Sequence, residues 1–532
     1  MKRPVALMVL SLLCAGLVYG QGTSDMKMDR LGVVEVRKLP RSNPNAQHVH
    51  PHPVLPEDPE LFQGEKLQAQ NGVGGTPAPA LTEPPSTLCV PTGLICPTPG
   101  FAGLTFSDTP GYVPPDTQVA AGSNSGTRNL VEMVNGTIRI FDGLGNTVNT
   151  LDMCSFFFCD FFTAVISDPI VRYDPASTRW FASVVTIEYT VQGNFFVPEG
   201  QWRLAVSQTS DPGGSWWVYG VTMSNGTFPD FPKLAISSDK VVQTGDAFTI
   251  STNRFKGTEF AVLSKADVVA GVATPGFQYF APPQGLFALA AAELLPSSSI
   301  TSTVYMAAVG SSRKGSSIRV WQLSGVPNTS GTGVTVTTAD HSTAAFATPP
   351  NAPQKGASTL IDTNGNWLVD AFYQSGHLWV SANSGCIPAG DTTTRSCLRF
   401  VEISPSTATV TQDLTFGEMG EYYYYPAIRP DSTGNLIAVF NRSSSTEYVG
   451  VYASGQLTGA PNTFQMAVQV KAGETAYTAS PPRWGDYSGA SADPITAYLV
   501  WIAAQYAQYI PPVPPATVGG NQWGTWIAQV HF

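Results

Sequence analysis

The sequence predicts an all-β fold, and within that class a β-propeller. Between residues 101 and 532 a loose phrase recurs, in which a polar turn with Asp, Gly or Pro precedes an alternating apolar strand, a second turn and a second strand. Its period of about 50 to 65 residues is typical of a radial array of short-stranded sheets. Gly (50) and Pro (43) are abundant and charged residues are only 12%, which favours a turn-rich β-protein over a helical bundle.

The copies of this phrase mark the predicted blades. In chain order they begin near Pro114, Ser167, Pro229, Ala288, Ser358, Tyr424 and Trp484. Seven copies predict seven blades, each a four-stranded antiparallel sheet, although the faint copy at Ala288 leaves six blades as an alternative. A ring of blades also protects the edges of so many short strands.

Individual strands are clearest where apolar and polar residues alternate. These stretches are residues 130–134, 137–141, 180–186, 203–206, 240–244, 318–323, 367–372, 378–381, 436–440 and 526–530. Turn pairs such as Asn135-Gly136 and Gly434-Asn435 separate them, because Asn and Gly tolerate the positive φ of tight hairpins. The last stretch, 526–530, is expected to close the ring against strands of the first blade.

The N-terminus is predicted to direct export. Lys2 and Arg3 precede an apolar stretch over 5–18, and a small residue, Gly20, ends a predicted signal peptide of residues 1–20. Lipid attachment at Cys14 is an alternative that Leu13 disfavours, since that processing requires a small residue there. No other apolar stretch is long enough to span a bilayer. A secreted or periplasmic monomer is therefore expected.

Residues 21–100 are predicted to form a disordered, Pro-rich leader, and residues 101–532 the propeller domain. Pro recurs throughout the leader and no apolar period is visible in it.

The cysteines support an oxidising compartment. Once Cys14 is set aside, the remaining cysteines form three close pairs: Cys89 with Cys96, Cys154 with Cys159, and Cys386 with Cys397. Sequence alone leaves every pairing open, but proximity and export favour three short-range disulfides. A metal–thiolate site is disfavoured because no pair has the C-x-x-C spacing.

Several function classes are excluded or left without support. The net charge of −10, with no Lys/Arg cluster beyond the first residues, argues against a nucleic-acid partner. The sequence contains no G-x-S-x-G elbow, H-E-x-x-H pair, Walker loop or Rossmann fingerprint.

One local motif has a structural interpretation. Residues 209–216 fit [ST]-x-D-x-G-x-[ST]-W, the Asp-box turn of sialidases and other propellers, through Thr209, Asp211, Gly213, Ser215 and Trp216. The Asp side chain is expected to cap backbone N–H groups of its hairpin while the Trp packs beneath it. We expect this turn at the outside of a blade, with no catalytic role.

The phrases PPDTQVAAG, SDPIVRYDPASTRW, DFPKLAISSDKVVQTGDAF and RWGDYSGASADP, with WGTWIAQVHF at the end, carry a resemblance. Together they resemble a group of large secreted bacterial β-propeller proteins with a sialidase-like fold, most of which have no established activity. The resemblance covers residues 101–532 and implies the architecture, but it implies no activity.

The candidate functional residues lie where copies of the phrase begin. Asp116, Asp168, Asp230 and Asp486 stand just before or within the predicted innermost strands, and equivalent positions of successive blades converge on the axis. Four carboxylates there would repel one another unless paired with arginines or with a hard cation such as Ca²⁺. This pattern predicts an axial mouth that binds a ligand or metal, with Arg483 and Tyr487 as further contacts. In the alternative, each Asp only caps its own turn.

Three functions follow from this mouth. The preferred one is recognition of a glycan, a cell-envelope component or a protein, with the four tyrosines at 422–425 as a possible contact patch. A sialidase-like glycoside hydrolase is the enzymatic alternative, although no pattern assigns its three arginines or its Tyr/Glu nucleophile pair. The arginines near the starts of copies are Arg172, Arg179, Arg254, Arg429 and Arg483. No catalytic residue is assigned. A structural envelope protein without a small ligand is the third possibility.

Overall fold

The computed structural model describes residues 26–39, 59–78, 93–159, 164–192, 195–223, 226–281, 286–295, 301–310, 315–479, 483–511 and 520–532. They form seven blades around one axis, which confirms the predicted seven-bladed β-propeller and excludes the six-bladed alternative. Blades 1–6 are antiparallel sheets in which sequential strands lie side by side from the axis outward. The predicted signal peptide, residues 1–20, lies outside the described residues.

The strands are given from the axis outward. Blade 1 contains Gln118–Asn124, Thr127–Val134, Thr137–Asp142 and Thr147–Asp152. Blade 2 contains Val165–Asp174, Arg179–Gln192, Phe195–Ser207 and Ser215–Thr222. Blade 3 contains Thr227–Ile236, Lys240–Thr249, Phe255–Ser264 and Phe277–Phe280. Blade 4 contains Ala290–Ala291, Val304–Val309, Ser317–Gly325 and Val334–Ser342.

The second half of the ring continues this order. Blade 5 contains Leu368–Gln374, His377–Ile387, Arg395–Ser404 and Thr409–Phe416. Blade 6 contains Tyr422–Pro430, Leu436–Ser444, Glu447–Gln456 and Val468–Lys471. Blade 7 contains Gly489–Ala492, Val500–Ile510 and Gly520–His531, and its outer edge is completed by Phe101–Thr105 and Cys96–Pro97. The faint fourth copy is explained by the innermost strand of blade 4, which has only two residues.

Short elements complete the fold. Glu293–Leu294 and Thr76–Pro77 pair in parallel with strands of blade 5, and Ala352–Gln354 pairs with Ala357–Ile361 between blades 4 and 5. The helices are Pro59–Gln70, Met153–Phe157 and Lys265–Ala270, with 3-10 turns at Val36–Lys38 and Phe106–Asp108. Within the described part of the chain, none of the helices has the length and apolar content needed to cross a bilayer.

Ring closure differs from the expected arrangement. The C-terminal strand Gly520–His531 does not pair with the sheet of blade 1; it is the third strand of blade 7. Residues that precede blade 1, Phe101–Thr105, form the next strand outward and so connect the two ends of the chain. Seven of the hydrophobic clusters lie between blades, one for each pair of neighbouring blades.

The predicted disorder of residues 21–100 is wrong for its described parts. Strand Asp29–Glu35 pairs with Ser215–Thr222 as a fifth strand of blade 2, and Val34 is buried in the core between blades 1 and 2. Helix Pro59–Gln70 packs against the propeller through Phe62. The composition did not reveal these elements, because each depends on a partner more than 100 residues away in the sequence.

Two of the three predicted disulfides are confirmed, Cys154–Cys159 and Cys386–Cys397. Cys96 is also disulfide-bonded, and its expected partner Cys89 lies outside the described residues.

Candidate functional site

The innermost strands all begin at the same end of the axis. We call this end the upper mouth, and it contains Asp116, Asp168, Asp230 and Asp486. Six blades have a left-handed, non-glycine residue within four residues of the start of the innermost strand. These residues, with their φ angles, are Asp116 (53°), Asp168 (53°), Phe231 (51°), Ala288 (57°), Asn364 (58°) and Tyr425 (57°). In four of the six, Asp168, Phe231, Ala288 and Tyr425, the N–H of this residue donates to a side chain of a neighbouring blade.

Side chains of neighbouring blades accept these N–H groups. Asn135 Oδ1 accepts the N–H of Asp168 at 2.8 Å, and Asp246 Oδ2 accepts that of Ala288 at 3.0 Å. Asn383 Oδ1 accepts the N–H of Tyr425 at 2.8 Å. Sequence reasoning missed these residues, since it predicts Asn135 only as a turn residue. A sequence signal does exist: each of the three acceptors lies in the second half of a second strand or just beyond its end.

The predicted carboxylates come together at the upper mouth, where Asp116, Asp168 and Asp486 accept hydrogen bonds from N–H and O–H groups of the protein. Asp116 accepts the N–H of Asp486 at 3.0 Å and an N–H of the Asn135 amide at 2.6 Å. Asp168 accepts the N–H of Phe231 and the hydroxyl of Tyr487, both at 3.1 Å.

Asp486 is bonded to groups of its own blade and of blade 5. The Asn364 amide donates to it at 2.5 Å and the Arg483 guanidinium at 2.6 Å. Asp230 lies opposite Asp246 in the register of blade 3.

The carboxylates therefore converge, and Asp116 and Asp168 accept hydrogen bonds from other blades rather than only from their own turns. Binding of a ligand or metal by this ring stays a prediction.

The electrostatics of the ring favour protonated carboxyls. Burial raises the pKa of Asp116 well above its usual value, and the nearby charges of Asp486 and Asp168 raise it further. Burial likewise raises the pKa of Asp230 well above its usual value, and the charges of Asp168 and Asp486 raise it further. Burial also raises the pKa of Asp486, while Arg483 opposes that shift. The cluster thus retains protons that isolated carboxyl groups would release.

No ready-made calcium site is visible in this ring. Among the described residues, no three side chains of His, Cys, Asp or Glu are grouped so that they could hold a metal ion. The carboxylate oxygens instead face amide, hydroxyl and guanidinium donors.

Below the ring, the axis is filled by charged side chains. Lys233 Nζ lies 3.7 Å from the ring centroid of Phe231 and 4.2 Å from that of Tyr487. Burial lowers the pKa of Lys233 to about 7, although four surrounding aspartates act in the opposite sense. The cavity beside Lys233 measures only about 10 Å³, which is at the lower limit for a single water molecule.

Two of the arginines considered for a sialidase-type triad are already paired. Glu293, from the connection between the first two strands of blade 4, contacts Arg172 at 2.8 Å and Arg429 at 2.6 Å. Arg429 also contacts Asp370 at 2.6 Å. These arginines therefore hold carboxylates of the protein itself. Sequence reasoning missed Glu293, Asp370 and Lys233 because none of them occupies a motif.

An aromatic layer lies on the ring at the upper mouth and consists of Phe231, Phe287, Trp367 and Tyr487. The ring centroids of Phe231 and Tyr487 are 4.9 Å apart, and those of Phe287 and Trp367 are 4.8 Å apart. The indole N–H of Trp367 is buried and has no hydrogen-bond partner among the described residues. A ligand acceptor that reached this donor would form the hydrogen bond that it lacks.

Helix Pro59–Gln70 covers this layer. Phe62 packs on Trp367 with 5.5 Å between ring centroids and joins a cluster formed by residues of blades 3, 5 and 7. Phe62 is the residue by which the helix enters this cluster, and Glu65 and Lys66 contact the connection that precedes blade 5.

The residues of the predicted Asp-box turn lie away from the axis. In the turn between the third and fourth strands of blade 2, Asp211 accepts the N–H of Gly213 at 2.8 Å, while Trp216 is 2% exposed. Thr209 Oγ1 accepts the N–H of Asp211, and Ser215 begins the fourth strand. The expected contact patch at 422–425 is wrong, since all four tyrosines are buried.

No protein-family model and no curated protein matches the chain. Among solved structures, the chain is similar to a Trypanosoma rangeli sialidase in complex with sialic acid, with 12% identity, a TM-score of 0.36, and coverage of 71% of this chain and 60% of that one. It is also similar to an exo-β-1,3-galactanase from Clostridium thermocellum, with 9% identity, a TM-score of 0.29 and coverage of 81% and 98%. It is similar as well to a phage phi92 endosialidase, with 8% identity, a TM-score of 0.33, and coverage of 79% of this chain and 69% of that one. The chain thus spans less than two thirds of the Trypanosoma rangeli enzyme, and these likenesses carry no argument about activity.

Proposed function

We propose that the protein is a secreted recognition propeller that binds a glycan, a cell-envelope component or a protein through the upper mouth. The observation that carries this proposal is the aromatic layer, in which Trp367 presents a buried N–H without a partner. Aromatic side chains give a large contact area at a low entropy cost. The disulfides support export, because such bonds persist in oxidising compartments.

The chemistry below the layer supports binding rather than hydrolysis. A glycosidase needs two carboxyl groups on either side of a bound sugar, several ångströms apart and open to it. Here Asp116, Asp168 and Asp486 are each less than a tenth exposed and already accept hydrogen bonds. The cavity beside Lys233, of about 10 Å³, is far smaller than a typical ligand pocket of about 300 Å³ or more.

One contact favours the alternative of a sialidase-like hydrolase. The hydroxyl of Tyr487 donates to Asp168 at 3.1 Å, which is the arrangement of a tyrosine nucleophile beside a carboxylate base. Against this reading, burial and the surrounding aspartates raise the pKa of Tyr487 well above its usual value, which opposes formation of the reactive phenolate.

The test compares binding and turnover in the full chain and two variants. The chain is applied to a glycan array, to peptidoglycan fragments and to a peptide array, and is incubated with fluorogenic glycosides and sialosides, with and without Ca²⁺. We expect binding without turnover, weakened at least tenfold by Trp367→Ala. Tyr509→Ala, which changes an aromatic side chain that is 53% exposed on blade 7, serves as the matched control and should bind normally.

Two outcomes would contradict the proposal. Turnover that Asp168→Asn abolishes, in a variant with an unchanged melting temperature, would establish the hydrolase. The absence of both binding and turnover in every assay would instead favour a structural envelope protein without a small ligand.

A further inference from the structure

We propose that the upper mouth is a groove for a short helix, and that the chain's own helix Pro59–Gln70 is a built-in pseudo-ligand. The external partner would be a helical segment of another protein that carries an aromatic side chain and a lysine four residues later. This inference rests on the proposed function and names the partner of the same site. It also explains how a binding mouth can be covered in the structure.

The helix contacts the propeller in the manner of a bound helical peptide. Its four buried residues are Phe62, Glu65, Lys66 and Ala69, which are between 2% and 7% exposed. They are spaced at i, i+3, i+4 and i+7, the anchor pattern by which a helix binds in a groove. The described side chains between these positions are exposed.

Specific contacts define what the groove selects. Phe62 packs on Trp367 of the aromatic layer. Lys66 Nζ donates to the Thr363 hydroxyl at 2.8 Å and lies 3.7 Å from the Asp362 carboxylate. An aromatic pocket beside an acidic group therefore recognises an aromatic side chain and a cation one helical turn apart.

Glu65 adds a polar contact on the same side of the groove. The hydroxyl of Thr348, in the connection between blades 4 and 5, donates to Glu65 Oε2 at 3.0 Å. Thr348 and Thr363 thus belong to the same connection, and each forms a hydrogen bond with one side chain of the helix. An external segment with an acceptor three residues after its aromatic side chain would make the same bond.

The helix is suited to exchange because it has little stability of its own. Isolated helices of about 12 residues are marginal in water, so its order depends on docking. Gly64 lies in its interior and lowers its helical propensity further. A Cβ at Gly64 would meet no atom within 4 Å, so Gly64→Ala can strengthen the helix without disturbing the groove.

Tethering determines when an external partner can bind. A segment of the same chain competes intramolecularly, at an effective concentration that no dilution of the protein lowers. An external helix must therefore compete with a concentrated internal one. Weakening the internal helix should increase external affinity, and strengthening it should reduce that affinity.

The experiment uses a fluorescein-labelled peptide of residues 59–70 and measures its anisotropy with the full chain and two variants. We expect the Phe62→Ala/Lys66→Ala chain to bind the peptide at least tenfold more tightly than the unaltered chain. The Gly64→Ala chain should bind it about fivefold more weakly than the unaltered chain, as the helix propensities of Ala and Gly predict. A labelled peptide that itself carries Phe62→Ala is the control and should lose at least tenfold in affinity.

Hydrogen–deuterium exchange of the unaltered chain provides a second measurement if the double variant does not fold. Excess peptide should speed exchange in residues 59–70 and leave strand Leu436–Ser444 unchanged. The inference is overturned if the peptide binds the folded double variant no better than the unaltered chain, or if excess peptide leaves exchange of 59–70 unchanged. If the arrays show binding that depends on Trp367 while the peptide fails, the recognition function stands and only the helical partner is wrong.

Discussion

At the scale of single residues, polar side chains at the upper mouth stabilise backbone conformations that are otherwise unfavourable. A left-handed φ in a non-glycine residue is strained by roughly 1–2 kcal/mol. Asp168 adopts it at 53° while Asn135 accepts its N–H, and Tyr425 adopts it at 57° while Asn383 does the same. The kinks therefore join neighbouring blades, and their strain is offset by hydrogen bonds between those blades.

Buried ionisable groups predict an unusual dependence of stability on pH. Burial raises the pKa of Asp246 to about 7, so the folded chain binds more protons than the unfolded chain below that pH, and stability falls as pH rises from about 4 to about 7. Burial lowers the pKa of Lys233 to about 7, so the unfolded chain binds more protons above that pH, and stability rises toward about pH 10. We expect a minimum of stability near pH 7, with limbs of up to about 1.4 kcal/mol per pH unit for each group.

Urea unfolding at a series of pH values measures this profile. Asp246→Asn should flatten the acidic limb and Lys233→Met the alkaline limb. A maximum near neutral pH in the unaltered chain would contradict the assignment of both groups.

At the scale of elements, strand Asp29–Glu35 shows how a segment from outside the repeat protects a sheet edge. It covers the outer strand of blade 2, Ser215–Thr222, whose backbone groups would otherwise be open to other chains. Successive side chains of this strand alternate between the core and the solvent, since Val34 is 2% exposed and Val33 is 43% exposed. One face of the strand thus supplies core to the propeller.

Val34→Asp should detach this strand, because it places a charge in the core between blades 1 and 2. We expect a loss of about 3 kcal/mol in the free energy of unfolding and a concentration-dependent association through the freed edge. Light scattering after size-exclusion chromatography measures the association. Val33→Asp, one residue away on the exposed face, is the matched control, and equal behaviour of the two variants would contradict this role.

At the scale of the whole molecule, the ring is closed in blade 7 by residues that precede blade 1. Glu132 of blade 1 accepts the N–H of Leu104 at 2.8 Å and the hydroxyl of Thr525, so the closing strand joins both ends of the chain. Gly103 lies against this junction, and a Cβ there would come within 2.4 Å of Thr525 Oγ1 and 2.5 Å of Glu132 Oε1.

Gly103→Val should therefore open the ring, whereas Ala102→Val, at an exposed neighbouring position, should not. We expect the melting temperature to fall by several degrees in Gly103→Val, with a loss of roughly 3 kcal/mol or more, as is typical of overpacked cores. Rapid proteolysis within residues 93–105 would identify the site of opening. Equal melting temperatures of the two variants would show that closure does not depend on this contact.

The sequence by itself determined the architecture and the position of the mouth. The spacing of its phrases predicted seven blades, and the placement of Asp116, Asp168 and Asp486 at copy starts placed them at one end of the axis, because equivalent strands of a ring converge. Only the tertiary structure decided their partners and what covers the mouth. The helix Pro59–Gln70 escaped prediction because two of its four buried residues, Glu65 and Lys66, are charged, so its buried face has no apolar period. The pairing of Glu293 with Arg172 and Arg429 escaped prediction because it joins residues from separate blades across the axis, a relation that no local pattern in the chain records.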